Sequence, residues 1–553
     1  MAGGPEAVSA AVWILAGFLA LTVVLGLLAA RRQERGGLAD WSVGGRSLGP
    51  VFIWVLMAGE GYTSFSYLGA AGWGYNYGAP VLYVVAYMSC GYAVGYLVGP
   101  MLWGYARKHG LVSLSDMAAH RYRRPWLGAV VAVLATVFLL PYIQLQITGM
   151  GVVVSTVSYG RIGLDLAYFL AFAVTTGFVV VSGLRGSAWV SVLKDSLVIL
   201  TLGFLIVYVP LHYFGGYGHF FQRLVDERGE WLELPGHGGE QSGYGVGWFA
   251  STTLLNSLTV VVFPTTVAGY LGARDADTLR RNAVWLPAYN VLLFVPMLLG
   301  MAALFVVPGL TGAESNLALF KLVTDSLPGW AVGLVGVAAA LSSIVPMAVF
   351  MLVIGTMWGR SVLSLVPRPK AREKGLSQVV VVVAGTLALV MTYTAPNTLV
   401  RLSLISYEGM AQFLPLLLLG LVWRRMSLHG GVSGLVVGVG IVCGLVFSGN
   451  DPLWGVNAGL LALLANLAVA VLVSLYGPAG APDEREDEEV LAREEFTDAR
   501  LPAKVGGGRG RGRVRASVPR RCAAEAFVPR RRPGQRAAPP HLTGARFPLP
   551  PRP

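Results

Sequence analysis

The amino-acid sequence alternates long apolar runs with short polar segments over its first 477 residues. The runs at 10–30, 81–103 and 458–476 contain about 20 residues without a charge, the length that an α-helix needs to cross a bilayer core. This pattern predicts an all-α polytopic membrane protein with about thirteen transmembrane helices. They are expected at approximately 9–30, 50–72, 79–103, 127–157, 164–182, 188–213, 245–272, 283–308, 329–358, 376–396, 401–423, 430–448 and 455–477.

Lys and Arg residues are unevenly distributed among the loops between these spans. When alternate loops are assigned to the same side of the membrane, one side has 20 of these residues and the other has five. Because cytoplasmic loops carry an excess of Lys and Arg, the richer side is predicted to be cytoplasmic. The sequence therefore predicts a multi-pass plasma-membrane protein with its N-terminus outside and its C-terminus in the cytoplasm.

The composition agrees with a membrane protein and changes near residue 478. Only 13% of the 553 residues are charged and 71 are glycine, whereas soluble proteins have about 25% charged residues and about 7% glycine. Much of the net charge of +13 lies after residue 478, where an acidic segment precedes an Arg-, Pro- and Gly-rich one. Such segments bury too little apolar surface to fold. Residues 478–553 are therefore predicted to form a disordered, solvated tail. Contact of its basic part with anionic lipid or RNA is the alternative interpretation, and no nucleic acid is expected as a partner.

Polar residues inside the predicted spans are the main functional candidates, because polar groups are costly in lipid. The span 50–72 has a mid-span carboxylate, Glu60, between two glycines, and hydroxyl-bearing residues follow it. Glycine weakens a helix, and broken membrane helices offer carbonyl oxygens to cations and helix N-termini to anionic substrates. A kinked, closely packed helix is the alternative interpretation of this segment.

Two further spans combine polar side chains with a helix-breaking proline. The ninth predicted span contains Ser342 and Ser343 ahead of Pro346, and the seventh contains Asn256 ahead of Pro264. Hydroxyls next to an interrupted helix can complete an oxygen shell for a small cation together with the freed carbonyls. Serines that bond back to their own helix are the alternative interpretation.

Several motifs resemble those of the sodium:solute symporter family. They occur in the family's order, at Asp40–Gly49, Gly69–Gly72, Ser182–Gly186 followed by Trp189, Gly420–Arg425 and Gly430–Gly434. The resemblance extends from about residue 10 to residue 477 and leaves out the predicted tail. In the last motif, Gly431 replaces the alanine that is usual in the family.

The resemblance implies a LeuT-like fold, in which two inverted five-helix repeats with broken core helices form the transport core. Four regions are then expected along the chain. They are a first transmembrane helix and cytoplasmic loop at 1–49, a ten-helix transport core at 50–423, two peripheral transmembrane helices at 424–477 and the tail at 478–553.

The resemblance also implies a site for the coupling ion Na⁺ and, beside it, a site for the solute; no other cofactor is expected. The sodium ligands would be the carbonyl oxygens of Gly59, Tyr62 and Ala339 and the hydroxyl groups of Ser342 and Ser343. The solute would lie near Thr63, Ser64, Ser66, Tyr67, Asn256, Pro264 and Thr265.

One position departs from the family's pattern and leaves the coupling ion open. The family often has an aspartate two residues after Trp189, where it serves the sodium exit route, and this chain has Ser191 there. Lys194 and Asp195 follow it; they either neutralise one another or lie near the cytoplasmic end of their span. Proton coupling is the alternative to sodium coupling, with Glu60 as a possible proton carrier.

Within the family, the segments Gly59–Tyr62, Gly78–Pro80 and Gly183–Gly186 look most like the bacterial monocarboxylate permease branch. That likeness implies sodium-coupled uptake, by alternating access, of a small acid such as lactate or pyruvate. The alternatives are a proton-coupled symporter of an amino acid or other small solute and, in a different class, a transporter-like membrane sensor. The chain has no motif for ATP hydrolysis or for nucleophilic or metal-dependent catalysis, so it is not expected to be an enzyme.

Overall fold

The computed structural model of the protein describes residues 5–31, 41–42, 44–46, 48–238, 243–365, 373–395 and 399–477. Their structure is helical, and the only β-pairs among the described residues are two isolated bridges. The predicted tail at 478–553 and most of the loop after the first helix lie outside the described residues.

Nineteen α-helices occur in the described part of the chain. They are α1 (Pro5–Arg31), α2 (Pro50–Gly61), α3 (Ala70–Asn76), α4 (Tyr83–His109), α5 (Leu114–Arg121), α6 (Pro125–Val157), α7 (Leu164–Phe214), α8 (Tyr217–Arg228), α9 (Val246–Thr259), α10 (Pro264–Gly272), α11 (Ala276–Asn290), α12 (Phe294–Val306), α13 (Ala318–Ser326), α14 (Gly329–Met357), α15 (Glu373–Thr394), α16 (Leu399–Ala411), α17 (Gly420–Val422), α18 (Leu428–Phe447) and α19 (Ala458–Tyr476).

Shorter helical segments connect or extend these helices. The π-helical turns are Phe65–Gly69, Trp358–Val362 and Pro415–Leu419. The 3₁₀ turns are Gly44–Arg46, Ala79–Leu82, Gly229–Leu232, Val260–Val262, Val291–Leu293, Gly312–Leu317 and Leu363–Leu365.

The described helices account for the predicted membrane spans. Eleven helical segments are long and apolar enough to cross a membrane; α7 supplies two of them, and α11 and α12 together supply one. The bent pair formed by α9 and α10 makes a twelfth. The remaining predicted span corresponds to the short apolar helix α2 and its continuation, after a break, through the π-turn into α3. The expectation of an all-helical polytopic membrane protein is confirmed.

Two spans are interrupted near the middle, as glycine and proline predict. The first break follows α2, where Tyr62 has the non-helical angles φ −102° and ψ 85°. The second separates α9 from α10 at Phe263, whose φ of −62° and ψ of 127° are extended, and it bends the span by 43°. Pro264 explains the second break, because proline removes a backbone donor and disfavours a helical residue before it.

A sharp kink divides α7 into two spans. Gly183 has φ 59° and ψ −164°, which is a region that side chains with a Cβ atom rarely adopt. A Cβ atom at this position would also lie 2.7 Å from Cδ1 of Trp41. The two parts, Leu164–Leu184 and Gly186–Phe214, each have the length of a span, so the two separate predictions for this region are met by one kinked helix.

Helix α14 lies at the centre of the helical packing. Nearly all of its residues are buried, and it packs against α1, α6, α7 and α15. In contrast, α18 and α19 pack chiefly against each other. A Cβ atom at Gly434 would lie 2.7 Å from the carbonyl oxygen of Asn466, so glycine allows this close approach of two membrane helices.

Loops predicted to lie on the cytoplasmic side contact one another. The backbone N–H of Arg274 donates to the carbonyl of Leu48 at 3.1 Å, and the guanidinium of Arg107 donates to the carbonyl of Arg274 at 2.9 Å. Arg360 forms an ion pair with Asp116, with 3.2 Å between Nε and Oδ2. These residues come from four loops or loop helices that the charge distribution assigns to one side.

Loops predicted to lie outside form a second group. The indole N–H of Trp231 donates to the carbonyl of Tyr75 at 2.8 Å, and the amide of Asn76 donates to the hydroxyl of Ser315 at 2.9 Å. The packing therefore separates the loops as the predicted alternation requires. Which group faces the cytoplasm stays a prediction from the distribution of Lys and Arg.

Candidate functional site

A buried lysine lies against the first helix break. The ammonium of Lys194, on α7, donates to the carbonyl oxygens of Gly59 at 3.4 Å and of Tyr62 at 3.3 Å. Its side chain is 0% exposed. The two carbonyl groups are the ones that the resemblance assigns to the coupling ion, so a positively charged group of the protein itself lies at those oxygens.

The neighbouring carboxylate, Asp195, partners this ammonium. Oδ1 of Asp195 is 2.9 Å from Nζ of Lys194 and accepts a hydrogen bond of 3.3 Å from the hydroxyl of Tyr289. The hydroxyl of Tyr62 donates to the carbonyl of Tyr289 at 3.0 Å, and the two rings pack with centroids 4.6 Å apart. These contacts join the break to α7 and α11. Both charged side chains are buried and form an ion pair, as the interpretation that they neutralise one another expects.

The residues after the break contact α14 and α6. The hydroxyl oxygens of Ser64 and Ser343 are 2.5 Å apart, and the backbone N–H of Ser64 donates to Oε1 of Gln146 at 3.2 Å. A Cβ atom at Gly149 would lie 2.3 Å from Cβ of Ser64. Glycine at this position therefore lets α6 approach the broken segment closely.

The predicted sodium ligands are only partly brought together. Ser343 donates to the carbonyl of Ala339 at 3.2 Å, and Ser342 donates to the carbonyl of Ala338 at 2.8 Å. A Cβ atom at Gly59 would lie 3.9 Å from Cγ1 of Val345, on α14, so the two elements are in contact. The described residues hold no cluster of three His, Cys, Asp or Glu side chains that could hold a metal ion.

A cavity lies at the second helix break. It is lined by Met88, Tyr92, Tyr142, Val260, Phe263, Thr265, Thr266, Phe350 and Tyr407, which come from five different spans. The rings of Phe263 and Tyr407 stack with centroids 4.8 Å apart, and those of Tyr142 and Phe350 are 4.7 Å apart. The walls are therefore mainly aromatic, and two threonines supply polar groups.

The first turn of α10 is the polar part of this cavity. Pro264 has no N–H and occupies the first helical position, so the N–H of Thr265 is the first donor that the helix leaves without an internal partner. Thr265 is 2% exposed, and its buried hydroxyl has no hydrogen-bond partner among the described residues. The positive end of a helix dipole and a buried hydroxyl thus face one small volume.

The other predicted solute-site residues are in different environments. Thr63 accepts a hydrogen bond from the backbone of Phe65, Ser66 donates to the carbonyl of Gly61, and the hydroxyl of Tyr67 bonds Thr201. These groups, with Ser64, stabilise the break and are not among the residues that line the cavity. Asn256 is buried, and its Oδ1 atom has no partner in the described part of the chain.

The side chain of one predicted site residue is outside the described residues. In addition, the sequence did not predict several residues that the structure places at the two helix breaks. Glu60 lies in α2, but its side chain is outside the described residues, so its role as a proton carrier stays a prediction. The aromatic walls of the cavity were missed, because aromatic residues occur throughout apolar spans. Lys194 was noted from the sequence only together with Asp195, and the rarity of a lysine inside a membrane span could have indicated a functional role.

Comparison with known proteins connects this arrangement with transporters. The model of the sodium:solute symporter family matches residues 41–438. Over 84% of the chain and 97% of the relative, the sequence is 35% identical to the symporter YhjB of Bacillus subtilis. It is 29% identical to a monocarboxylate transport permease protein of Rhizobium johnstonii, over 84% of the chain and 96% of the relative. The Escherichia coli sodium/pantothenate symporter is 24% identical over the same shares.

A solved structure supports the fold. The chain is similar to a substrate-bound, outward-open Na⁺-coupled sialic acid symporter with a TM-score of 0.71 and 15% identity. The match covers 85% of this chain and 98% of that one. The LeuT-like fold with two broken helices, expected from the sequence motifs, is confirmed by this likeness.

Proposed function

Because the chain belongs to the sodium:solute symporter family, we propose that it takes up a small monocarboxylate, such as lactate or pyruvate, together with Na⁺. Membership makes the protein a solute symporter and not an enzyme, and the family supports Na⁺ as the coupling ion. In the proposed organisation, residues 50–423 form the transport core, 1–49 and 424–477 are peripheral, and 478–553 form a tail.

The observation that carries the proposed substrate class is the polar end of the cavity at α10. A carboxylate at this point would accept hydrogen bonds from the N–H and hydroxyl of Thr265, and the helix dipole would stabilise its charge. None of the residues that line the cavity is an Arg or Lys. The helix N-terminus therefore supplies the positive potential that a buried basic residue supplies in other carboxylate sites.

The aromatic walls suit the rest of such a solute. A short alkyl group would be enclosed by Phe263, Tyr142, Phe350 and Tyr407. Its removal from water is favourable. Among the relatives, one is named for monocarboxylates and two for pantothenate, and pantothenate also carries a single carboxylate. The shared carboxylate supports an anionic solute, and the ring-lined cavity favours a small one.

The sodium ligands are proposed to be the carbonyls of Gly59, Tyr62 and Ala339 and the hydroxyls of Ser342 and Ser343. Two contacts support this choice, since α14 lies against the break at Gly59 and Ser343 lies against Ser64. A cation at these oxygens would hold the broken segment in one conformation. Binding of the cation and binding of the solute at the second break would then favour the same conformation of the transporter.

A solute panel tests the substrate class. Purified protein in proteoliposomes is given an inward Na⁺ gradient and labelled lactate, pyruvate, pantothenate or alanine, with protein-free liposomes as the control. We expect saturable uptake of lactate or pyruvate, which unlabelled short monocarboxylates inhibit and the corresponding amides do not. Uptake of alanine alone would overturn the assignment of an anionic monocarboxylate, because alanine also carries an ammonium group, and uptake of pantothenate alone would overturn the small size of the solute.

A further inference from the structure

The ammonium of Lys194 has the contacts of a bound cation. It lies between two carbonyl oxygens of the broken segment, at 3.3 and 3.4 Å, and one carboxylate oxygen of Asp195, at 2.9 Å. All three partners are oxygen acceptors, and the side chain is completely buried. An ammonium and an alkali ion both carry one positive charge, so the same oxygens can stabilise either of them.

The lysine and a sodium ion compete for these oxygens because of their charge. A sodium ion bound to the carbonyls of Gly59 and Tyr62 would lie a few ångströms from the ammonium, and burial leaves little water to screen the repulsion. The carboxylate of Asp195 does not remove this repulsion between Na⁺ and the ammonium. Oδ1 of Asp195 already accepts from Lys194 and from Tyr289.

The attachment of Lys194 allows it to leave without losing its counter-ion. Lys194 and Asp195 are adjacent in α7, so the flexible side chain can move away from the carbonyls and keep its ion pair. Oδ2 of Asp195 has no hydrogen-bond partner among the described residues and is available to accept from the displaced ammonium. Displacement therefore does not require an isolated charge inside the protein, which would be costly.

We propose that Lys194 is a tethered cation that occupies the carbonyl pair of Gly59 and Tyr62 and excludes Na⁺ from it. This inference rests on the proposed sodium site and specifies how the site is regulated. When Na⁺ is absent, the ammonium holds the broken segment in the cation-bound arrangement. When Na⁺ binds, it must displace the ammonium, so this competition lowers the apparent affinity for Na⁺.

The test compares the response to Na⁺ of the wild type and the Lys194→Met variant, which removes the charge and keeps a similar length. Thermal stability of the purified protein is measured against NaCl concentration, with choline chloride holding the ionic strength constant. We expect half-maximal stabilisation of Lys194→Met at a Na⁺ concentration at least about tenfold lower than for the wild type, since the competing charge is gone.

Three further variants make the outcome specific. Lys194→Arg keeps the positive charge and is expected to keep the weak response of the wild type. Lys194→Met/Asp195→Asn avoids an unpaired buried carboxylate, so it gives a result even if Lys194→Met fails to fold. Ser196→Ala, on the exposed face of the same helix, is the matched control. An equal response to Na⁺ in the wild type, Lys194→Met and the double variant would overturn the proposal.

This experiment is independent of the solute. If the variants bind Na⁺ more tightly but the wild type takes up no monocarboxylate, the substrate assignment fails and the competition stands. If the wild type takes up pyruvate with Na⁺ and the variants show no change in sodium response, the competition fails and the proposed function stands.

Discussion

At the scale of single residues, the two helix breaks use their polar groups differently. Around the first break, most hydroxyl and carbonyl groups described above are paired: Ser64 with Ser343, Tyr67 with Thr201, and the carbonyls of Gly59 and Tyr62 with Lys194. At the second break, the hydroxyl of Thr265 has no partner among the described residues. A buried polar group without a partner is costly, which is why we assign the solute's carboxylate to the second break.

Replacement of Thr265 by valine tests this assignment. The variant keeps the shape of the side chain and removes one hydrogen bond to a charged group, which contributes about 1.5–3 kcal/mol. We expect KM for the monocarboxylate to rise about tenfold or more in uptake assays. Thr259→Val is the control, because that hydroxyl is also buried but donates to the carbonyl of Leu255 in its own helix. Equal KM values for both variants would remove Thr265 from the site.

The hydroxyls of Ser342 and Ser343 give a second test at this scale. Each now bonds a carbonyl of its own helix, and both could instead face a cation. We expect the double substitution Ser342→Ala/Ser343→Ala to raise the Na⁺ concentration for half-maximal uptake about tenfold, since two oxygen ligands are lost. Thr356→Val, further along α14 and also bonded back to its helix, serves as the control. An unchanged sodium dependence would place the ion elsewhere.

At the scale of helices, the first break depends on its close contact with α6. Gly149 permits this contact, because a Cβ atom there would overlap the side chain of Ser64. Gly149→Ala is expected to displace the broken segment at a cost of about 1–3 kcal/mol and to lower uptake while the protein stays folded. Uptake rate and melting temperature in detergent are measured together. Gly203→Ala, where a Cβ atom meets nothing within 4 Å, is expected to behave as the wild type; equal uptake by both variants contradicts the account.

The helices and their breaks were largely predictable from the sequence. Apolar runs of span length give the helices, and the glycines beside Glu60 and the proline at 264 give the interruptions, because these causes are local. The position of Lys194 was not predictable in the same way. Its partners Gly59 and Tyr62 are more than 130 residues away along the chain, so only the packing of α7 against α2 determines which oxygens the ammonium reaches.

The cavity was also beyond local prediction. Its lining residues come from five spans, and each aromatic residue alone is typical of any apolar helix. The resemblance to the family implies that Thr63, Ser66 and Tyr67 lie near the solute, and this assignment stays a prediction. In the structure, their hydroxyls are used in contacts within the protein, which a sequence pattern does not reveal.

At the scale of the whole molecule, the loops form two groups that match the predicted alternation, and their orientation can be tested. Single cysteines replace Arg161, on the predicted outer side, or Arg124, on the predicted cytoplasmic side, in a variant that lacks Cys90, Cys443 and Cys522. Both arginines are exposed. A membrane-impermeant maleimide on intact cells is expected to label the cysteine at 161 and to label the one at 124 only after lysis. The reverse pattern would invert the predicted topology.

The central claim is that a Na⁺ gradient drives accumulation of a monocarboxylate through this fold. It is tested most directly by uptake of labelled pyruvate into proteoliposomes of equal internal and external pH, with either NaCl or choline chloride outside. We predict faster uptake with NaCl and transient accumulation above the external concentration, which collapses when a sodium ionophore is added. Equal uptake in NaCl and choline chloride would contradict sodium-coupled monocarboxylate symport.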